Sequence, residues 1–381
     1  SPYPRPYLRL PKIAYLVPAY LNNEADILDD TLQSYCDLNY RGEATVLVVF
    51  NTKGETLGME SVLMAKWDGI VCGESKNIRI KIVKNNESSS KAENVNYGLS
   101  LIPADVEYIA IMDADHQLSP DNACVAMQTM LLKGYDVLQG SCTIRNQENL
   151  LCKMISVEFE HMYCVAHQGR FRVFGLGLFV GSNGYWKSSA LQAIGMDKSM
   201  LTEDVDSSIR AILAGYKIGQ SSDVISSELA PQNRSILQKQ RLRWAQGWTE
   251  VSVEHAYSCM TSTHIALRQK VGLVYLLGWR EVFPYTMFWP LWCVAGRALR
   301  VGRLDFALSW IVIGVSLSVF GLARVVAAYG VTRGPIGANV GAFFLFSIWG
   351  IFFDAYLNFI QVYGHGRYFV KANAWVATVR E

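Results

Sequence analysis

The run Tyr108-Ile109-Ala110-Ile111-Met112 leads straight into Asp113-Ala114-Asp115-His116, and no other stretch constrains the fold so tightly. A short apolar run with β-branched residues, closed by the turn residues Ser119, Pro120 and Asp121, reads as a buried strand. It delivers two carboxylates, on alternate positions, to a sheet edge. If they are buried there they need a cation, and a divalent metal carrying phosphate oxygens meets that need. In a surface turn they would be solvated and need nothing. The stretch alone leaves both readings open.

Around it the chain alternates. Residues 13–18, 44–50, 78–83, 108–112 and 137–143 read as apolar strands, and residues 22–35, 90–101, 122–133 and 148–167 read as helices. Buried-type strands alternating with helices predict an α/β domain whose parallel sheet is wound on both faces. Ligands of such sheets bind beyond the carboxyl ends of the strands, where Tyr20, Asn51, Asp113 and Asp115 all fall.

Further stretches carry chemistry, each with a plainer alternative. The glycines of residues 174–184 suit a ligand or acceptor wall through close backbone approach, or simply a tight turn. Thr202 reads as an N-cap, and Glu203, Asp204 and Asp206 in the turn after it are either site carboxylates or partners of the helix dipole. Arg241, Arg243, Trp244 and Trp248 combine planar donors with amphipathic rings, which suits phosphate, a sugar face or a membrane interface.

Composition separates the two ends of the chain. Only 18% of residues are charged and 51% are apolar, and the excess lies after residue 270 in three segments, Val282 to Ala298, Phe306 to Ala328 and Val340 to Val362. Each is long enough, or nearly so, to cross about 30 Å of hydrocarbon. Arg280, Glu281, Arg324 and Asp354 beside or within them either line a polar path or pair with one another. A net charge of +2 gives no electrostatic case for nucleic acid. The eight cysteines show no CxxC pair and no zinc spacing, and are expected to be reduced, mostly buried thiols. The proline-rich start at Ser1 reads as a lead-in from something upstream.

Three motifs in order, Asp113-Ala114-Asp115, Thr202-Glu203-Asp204 and Gln240-Arg241-Leu242-Arg243-Trp244, followed by apolar segments, resemble the membrane-bound processive branch of family 2 glycosyltransferases, the cellulose, curdlan, chitin and hyaluronan synthases. The resemblance implies a GT-A catalytic domain, Rossmann-like with a mostly parallel sheet, over residues 1–245. It further implies an amphipathic interface helix over 246–270, transmembrane or interfacial helices over 271–363 and a gating-like segment over 364–381. The implied enzyme is an inverting, UDP-sugar-dependent hexosyltransferase that elongates a β-linked polysaccharide and moves it across the plasma (inner) membrane, its catalytic domain cytosolic.

The implied roles fall on matching positions. Asp113 and Asp115 would hold Mg2+ or Mn2+ on the donor diphosphate, with Asp115 the direct ligand. Asp204 would be the general base, with Glu203 beside it. Lys91, in a Lys-Ala-x-x-x-Asn stretch ending at Asn96, and Arg243 would face the diphosphate, and Tyr20 and Asn51 the uridine. Gln240, Trp244, Ser182 and Asn183 would meet the growing polysaccharide. Trp375, Thr378 and Arg380 resemble the gating segment of hyaluronan synthases. One departure stands out: the family usually has an acid where this chain has Asn51. The residues 181–186 and 201–208 resemble β-glucan synthases most, which favours UDP-glucose. Alternatives are a hyaluronan- or chitin-like synthase using UDP-GlcNAc and a non-processive glycolipid glycosyltransferase. Expected partners are the lipid bilayer and accessory subunits or a second copy in a homo-oligomer, and no nucleic acid.

Overall fold

Strand β1 (Ile13–Tyr20) is buried on both faces along almost its whole length, as an apolar run without polar alternation requires. Ile13, Tyr15, Val17 and Ala19 point into one core and Ala14 and Leu16 into another, because successive side chains of a strand leave opposite faces. This computed structural model of the chain describes residues 9–54, 57–286 and 340–370, with short helical pieces at 295–296, 299–300, 322–323, 326–327 and 329–330. Most of the first and second apolar segments, and the gating residues Trp375, Thr378 and Arg380, lie outside the described residues.

After β1 the chain continues through α1 (Leu21–Cys36), β2 (Ala44–Asn51), α2 (Leu57–Trp67), β3 (Val71–Cys72), β4 (Ile78–Lys84), α3 (Lys91–Leu101), β5 (Tyr108–Ile111), β6 (Gln117–Leu118), α4 (Asn122–Lys133) and β7 (Val137–Ile144). Next comes one long helical stretch: α5 (Leu150–Glu160), a π-helical segment (His161–His167) and α6 (Gln168–Phe174). β8 (Gly184–Lys187), α7 (Ser188–Ile194), α8 (Glu203–Leu213), β9 (Ile218–Glu228) and α9 (Arg234–Thr261) complete the domain.

The nine strands form one sheet in the order β3-β4-β2-β1-β5-β8-β7-β9-β6. From β4 to β5 it is parallel, as expected; beyond β5 it is mixed, because β8 runs antiparallel to both β5 and β7. β8 lies at the end of the glycine-rich run, so that run is both a turn and the start of a sheet strand. The register sets Tyr20 directly beside Asn51 and Leu16 beside Ile111, so Asp113 leaves the sheet at the same edge.

Helix α9 carries the Gln240–Trp244 motif and is N-capped by the Asn233 side chain, which accepts from the Ile236 N–H at 3.0 Å. It passes through positions 245 and 246 without a break and buries Ala245, Gln246, Val251, His255 and Cys259 against the domain. Gly247 makes this docking possible: a Cβ there would lie 2.5 Å from Thr202 Cγ2 and 2.9 Å from the Thr202 backbone nitrogen. The chain then runs through α10 (Leu267–Leu273), a π-helical turn (Val274–Trp279) and α11 (Arg280–Thr286).

Helix α12 (Val340–Phe369) is, among the described residues, the one helix long and apolar enough to cross a membrane; an 18-residue stretch within Gly341–Phe369 has a mean hydropathy of 1.6. Its first half packs Phe343, Phe346 and Phe353 against the cluster containing Phe159 and Tyr163. Its second half approaches α9, and His365 pairs with Glu281 at 2.8 Å. Of the ionisable groups read beside the apolar segments, Glu281 pairs with Arg280 as well as with His365.

One expectation is corrected. Cys36 and Cys72 form a disulfide joining the end of α1 to β3, across 36 positions. Their Cα atoms come within 5.2 Å only through the tertiary packing of α1 on the sheet edge, which residue spacing does not reveal. Cys124, Cys142, Cys152, Cys164 and Cys259 are buried free thiols, as expected.

Candidate active site

The carboxyl ends of β1 and β2 open into a cavity of about 440 Å³ that reaches across to α5, α8 and α9. Tyr20 and Asn51 form its floor at the strand ends. Asn51 is held in place: its Nδ2 donates to the Ser88 carbonyl at 3.2 Å, and its Oδ1 accepts from Asn94 Nδ2 at 2.8 Å. Both amides stand at the edge of a parallel sheet, where backbone partners run out.

Lys91 is the first residue of α3, whose N-cap Ser90 accepts from the Glu93 N–H at 3.2 Å. Its ammonium reaches over the cavity, forms an ion pair with Asp113 Oδ1 and donates to the Gly181 carbonyl at 2.7 Å. Burial works against the charge, but Asp113, Glu203 and Asp204 outweigh it and raise the lysine above its ordinary range, so it stays cationic. The Asp113 backbone N–H is held by Ser182 Oγ at 2.9 Å.

Asp115 sits behind Asp113. Its side chain is fully buried and Oδ2 accepts from the Leu229 N–H at 3.2 Å. One ligand atom each from Asp113, Asp115 and His116 lie within 4.8 Å of one another. The two carboxylates at that spacing suit a hard divalent cation such as Mg2+ or Mn2+, while both nitrogens of the His116 ring are already engaged. The strand reading singled out the carboxylates and passed over His116, although it is the next residue. Its ring is fixed by Ser226 Oγ at 3.0 Å and Glu228 Oε2 at 2.8 Å. Glu228 ends β9, a strand the sequence reading did not separate from its surroundings.

On the opposite wall, Glu203 and Asp204 open α8. Thr202 holds the N-cap position but its hydroxyl makes no capping bond, contrary to the expectation from sequence; it packs closely against Gly247 of α9 instead. The helix start is fixed from below by Asp206, fully buried, which accepts from Arg210 Nε at 2.7 Å and meets His255 Nε2 at 2.7 Å. Burial, reinforced by neighbouring Glu203, pushes the Asp204 carboxyl up to about 6, even though Lys91 and Arg243 pull the other way. Gly181, at φ +98°, lets the backbone pass this carboxylate: a Cβ there would lie 2.8 Å from Asp204 Oδ2. A carboxyl that is ionised at neutral pH but more basic than a solvated one suits a general base.

Helix α9 supplies the last wall. Gln240, Arg243 and Trp244 line the cavity, and Arg243 donates to the Leu201 carbonyl at 3.1 Å. Arg241, in the same motif, is buried and does not line the cavity. It pairs with Glu158 at 2.7 Å and stacks on the Trp244 ring at 4.3 Å, so it braces the tryptophan. Ser182 lines the cavity; Asn183, expected at the acceptor, is instead fully buried beneath it, where its amide donates to the Ser141 and Val224 carbonyls at 2.9 Å. The sequence reading also missed the side contributed by Phe159, Met162, Tyr163 and His167, whose only signal was an aromatic-rich helix.

Residues 108–354 match the family described as glycosyl transferase family group 2, and residues 16–194 match glycosyl transferase family 2. The chain belongs to glycosyl transferase family group 2. The poly-beta-1,6-N-acetyl-D-glucosamine synthase of Staphylococcus epidermidis is 24% identical over 283 residues, which cover 74% of this chain and 63% of that protein. The synthase of the same name from Staphylococcus aureus is 26% identical over 260 residues, 67% of this chain and 59% of that protein. The matched region thus spans about 60% of these relatives' length. In fold, the chain is similar to the mannosyltransferase PcManGT from Pyrobaculum calidifontis in complex with GDP-Man and Mn2+, with a TM-score of 0.57 and 15% identity over 97% of this chain and 92% of that one. The mixed α/β sheet is therefore GT-A-like.

Proposed function

We propose that this chain catalyses inverting transfer of a sugar from a uridine diphosphate donor to a hydroxyl group of a growing β-linked polysaccharide. One observation carries the reading: Asp113, Lys91, Asp204 and the Gln240–Trp244 motif, far apart in sequence, line one cavity at the carboxyl edge of the sheet. In this reading Tyr20 and Asn51 flank the uracil, and Lys91 and Arg243 face the diphosphate. A divalent cation, Mg2+ or Mn2+, held by Asp113 and Asp115 would neutralise charge on the departing diphosphate. Asp204 takes the proton from the acceptor hydroxyl as its oxygen bonds to the anomeric carbon and the bond to the diphosphate oxygen breaks. A single displacement needs one base and no protein nucleophile.

The relatives' names favour UDP-N-acetylglucosamine as donor; UDP-glucose, the sequence expectation, is the second reading and rests on residues 181–186 and 201–208. We further propose that the whole protein is a multi-pass protein of the plasma (inner) membrane that elongates processively and passes its product through its own helices. Supporting this is α12, whose length and apolarity suit a bilayer and which packs on two helices of the cavity wall.

The test is a donor screen with the full-length protein in detergent plus Mg2+ or Mn2+, followed by linkage-specific glycanase digestion of the product. Turnover of UDP-GlcNAc into long, digestible chains is expected. A single sugar added to lipid would overturn the processive claim, and no release of UDP from any donor would overturn the transferase reading.

A further inference from the structure

We infer that Trp248 is a specificity-determining residue, an aromatic platform for the second sugar of a saccharide acceptor, one helical turn beyond Trp244. The inference rests on the transferase reading above and deepens it. Trp244 and Trp248 both line the cavity, and neither is fully buried, so each keeps accessible surface. Large rings that serve only the core, such as Trp186 and Phe50, are sealed completely. Helix α9 runs unbroken from Arg234 to Thr261, so the two tryptophans stand four residues apart on one face, offset by about 6 Å along the axis. That offset is close to the length of one pyranose unit in an extended β-linked chain.

Both rings are held in the same way. The Arg241 guanidinium lies 4.3 Å from the Trp244 ring centroid, and the Arg280 guanidinium lies 4.4 Å from that of Trp248. Each arginine is itself anchored by a carboxylate, Arg241 by Glu158 at 2.7 Å and Arg280 by Glu281 at 3.2 Å. Glu281 is fixed in turn: it accepts at 2.8 Å from Thr249 Oγ1, on the residue after Trp248, and pairs with His365 of α12 at 2.8 Å. Neither arginine lines the cavity, and a guanidinium over one face of a ring leaves the other face for a ligand. A ring ordered in advance costs a ligand less to bind than one it must immobilise.

The chemistry of the ligand follows from what shares the cavity with the rings. Glu203, Gln240 and Arg243 line it too, so an occupant must bring polar groups as well as an apolar face. A pyranose has both, a C–H face for the indole and hydroxyls at its edge. A hydrocarbon tail would cover the rings and desolvate the charged groups without giving them partners. The order along α9 is set by Arg243, one of the cations that act on the Asp204 carboxyl. Trp244 adjoins it and takes the sugar that receives the transfer; Trp248, a turn farther along the helix, takes the next one.

The test uses the full-length protein in detergent with UDP-GlcNAc and two acceptors, methyl β-N-acetylglucosaminide and the β-linked N-acetylglucosamine disaccharide, with UDP-glucose and the matching glucosides run in parallel. Wild type is compared with Trp248→Ala, Trp248→Leu and Trp248→Phe. Wild type is expected to use the disaccharide with a kcat/KM about tenfold above that for the monosaccharide glycoside. The alanine and leucine variants are expected to lose that advantage while kcat/KM for the monosaccharide and half-saturation for the donor stay within about twofold, and phenylalanine, which keeps a ring, is expected to retain most of it. A ring that only packs α9 in place would lower the use of both acceptors and of the donor together, and that result overturns the inference. So does a disaccharide advantage that survives in the alanine and leucine variants. An octyl β-glycoside that matches the disaccharide in wild type and loses the match in Trp248→Ala would put a lipid tail on the ring and overturn the saccharide assignment. If Trp248→Ala does not fold, Trp248→Leu against Trp248→Phe gives the same reading. Wild-type protein that releases no UDP from either donor overturns the transferase reading, and this inference with it. UDP release with no preference for the longer acceptor overturns this inference alone.

Discussion

The two ends of the cavity are built differently. The end formed by strand termini is internally paired: Lys91 with Asp113, Asn51 with Asn94, Ser182 with the Asp113 backbone, Asp115 with the Leu229 backbone. The end formed by α5, the π-helical segment and the tryptophan side of α9 presents aromatic rings instead, Phe159, Tyr163 and Trp244. A pre-paired charged end has its groups in position before a ligand arrives, which is what binding a highly charged donor requires. An end of ring faces suits the C–H faces of a second ligand, a pyranose. In the proposed reaction the donor lies at the first end and the acceptor at the second, with Asp204 between them.

The contrast can be broken at several points. The largest effect is expected at the junction: Asp204→Asn should lower the transfer rate by about 10²–10⁴-fold while UDP binding, followed by calorimetry, survives. In the proposed reaction Asp204 acts as the base in its ionised form, and its carboxyl is pushed up to about 6, so wild-type kcat/KM should rise as pH increases through about 6 and level off above it. Between pH 7 and pH 5 the ionised fraction falls about tenfold, so a flat profile over that window would remove Asp204 from the base role. At the donor end, Asp113→Ala should weaken metal-dependent UDP binding by about 10–100-fold and leave acceptor half-saturation alone. At the acceptor end, Trp244→Ala should raise acceptor half-saturation about tenfold with little change for UDP, and equal effects on both ligands would erase the distinction between the ends. The smallest effect tests the frame: Gly247→Ala, whose Cβ meets Thr202, should cost about 1–3 kcal/mol in denaturant unfolding.

The same contrast explains what was legible in the sequence. The donor end follows from strands: β1, β2 and β5 are unbroken apolar runs, and a parallel sheet brings their carboxyl ends together, so Tyr20, Asn51 and Asp113 could be aligned from period and topology alone. The acceptor end depends on how helices dock. Nothing local to Gly247 says that it meets Thr202, nor does the aromatic run before His167 say that it winds as a π-helix. Asn183 looked like a wall residue because it sits among glycines, yet its left-handed backbone, φ +51°, turns the amide inward to tie β7 to β9. β9 escaped notice because its polar serines and glutamine do not form an apolar run, and Glu228 with it. The disulfide escaped for the reason all long-range pairs do: 36 residues separate its cysteines.

The central claim is that one base, Asp204, drives one displacement between the two ends. The direct measurement is the anomeric configuration of the new bond, read by proton NMR after the full-length protein transfers a sugar from an α-linked UDP-sugar to a short saccharide acceptor. The account predicts a β-linked product. An α-linked product would require a second displacement or a nucleophile that the account assigns to no residue, and would contradict it.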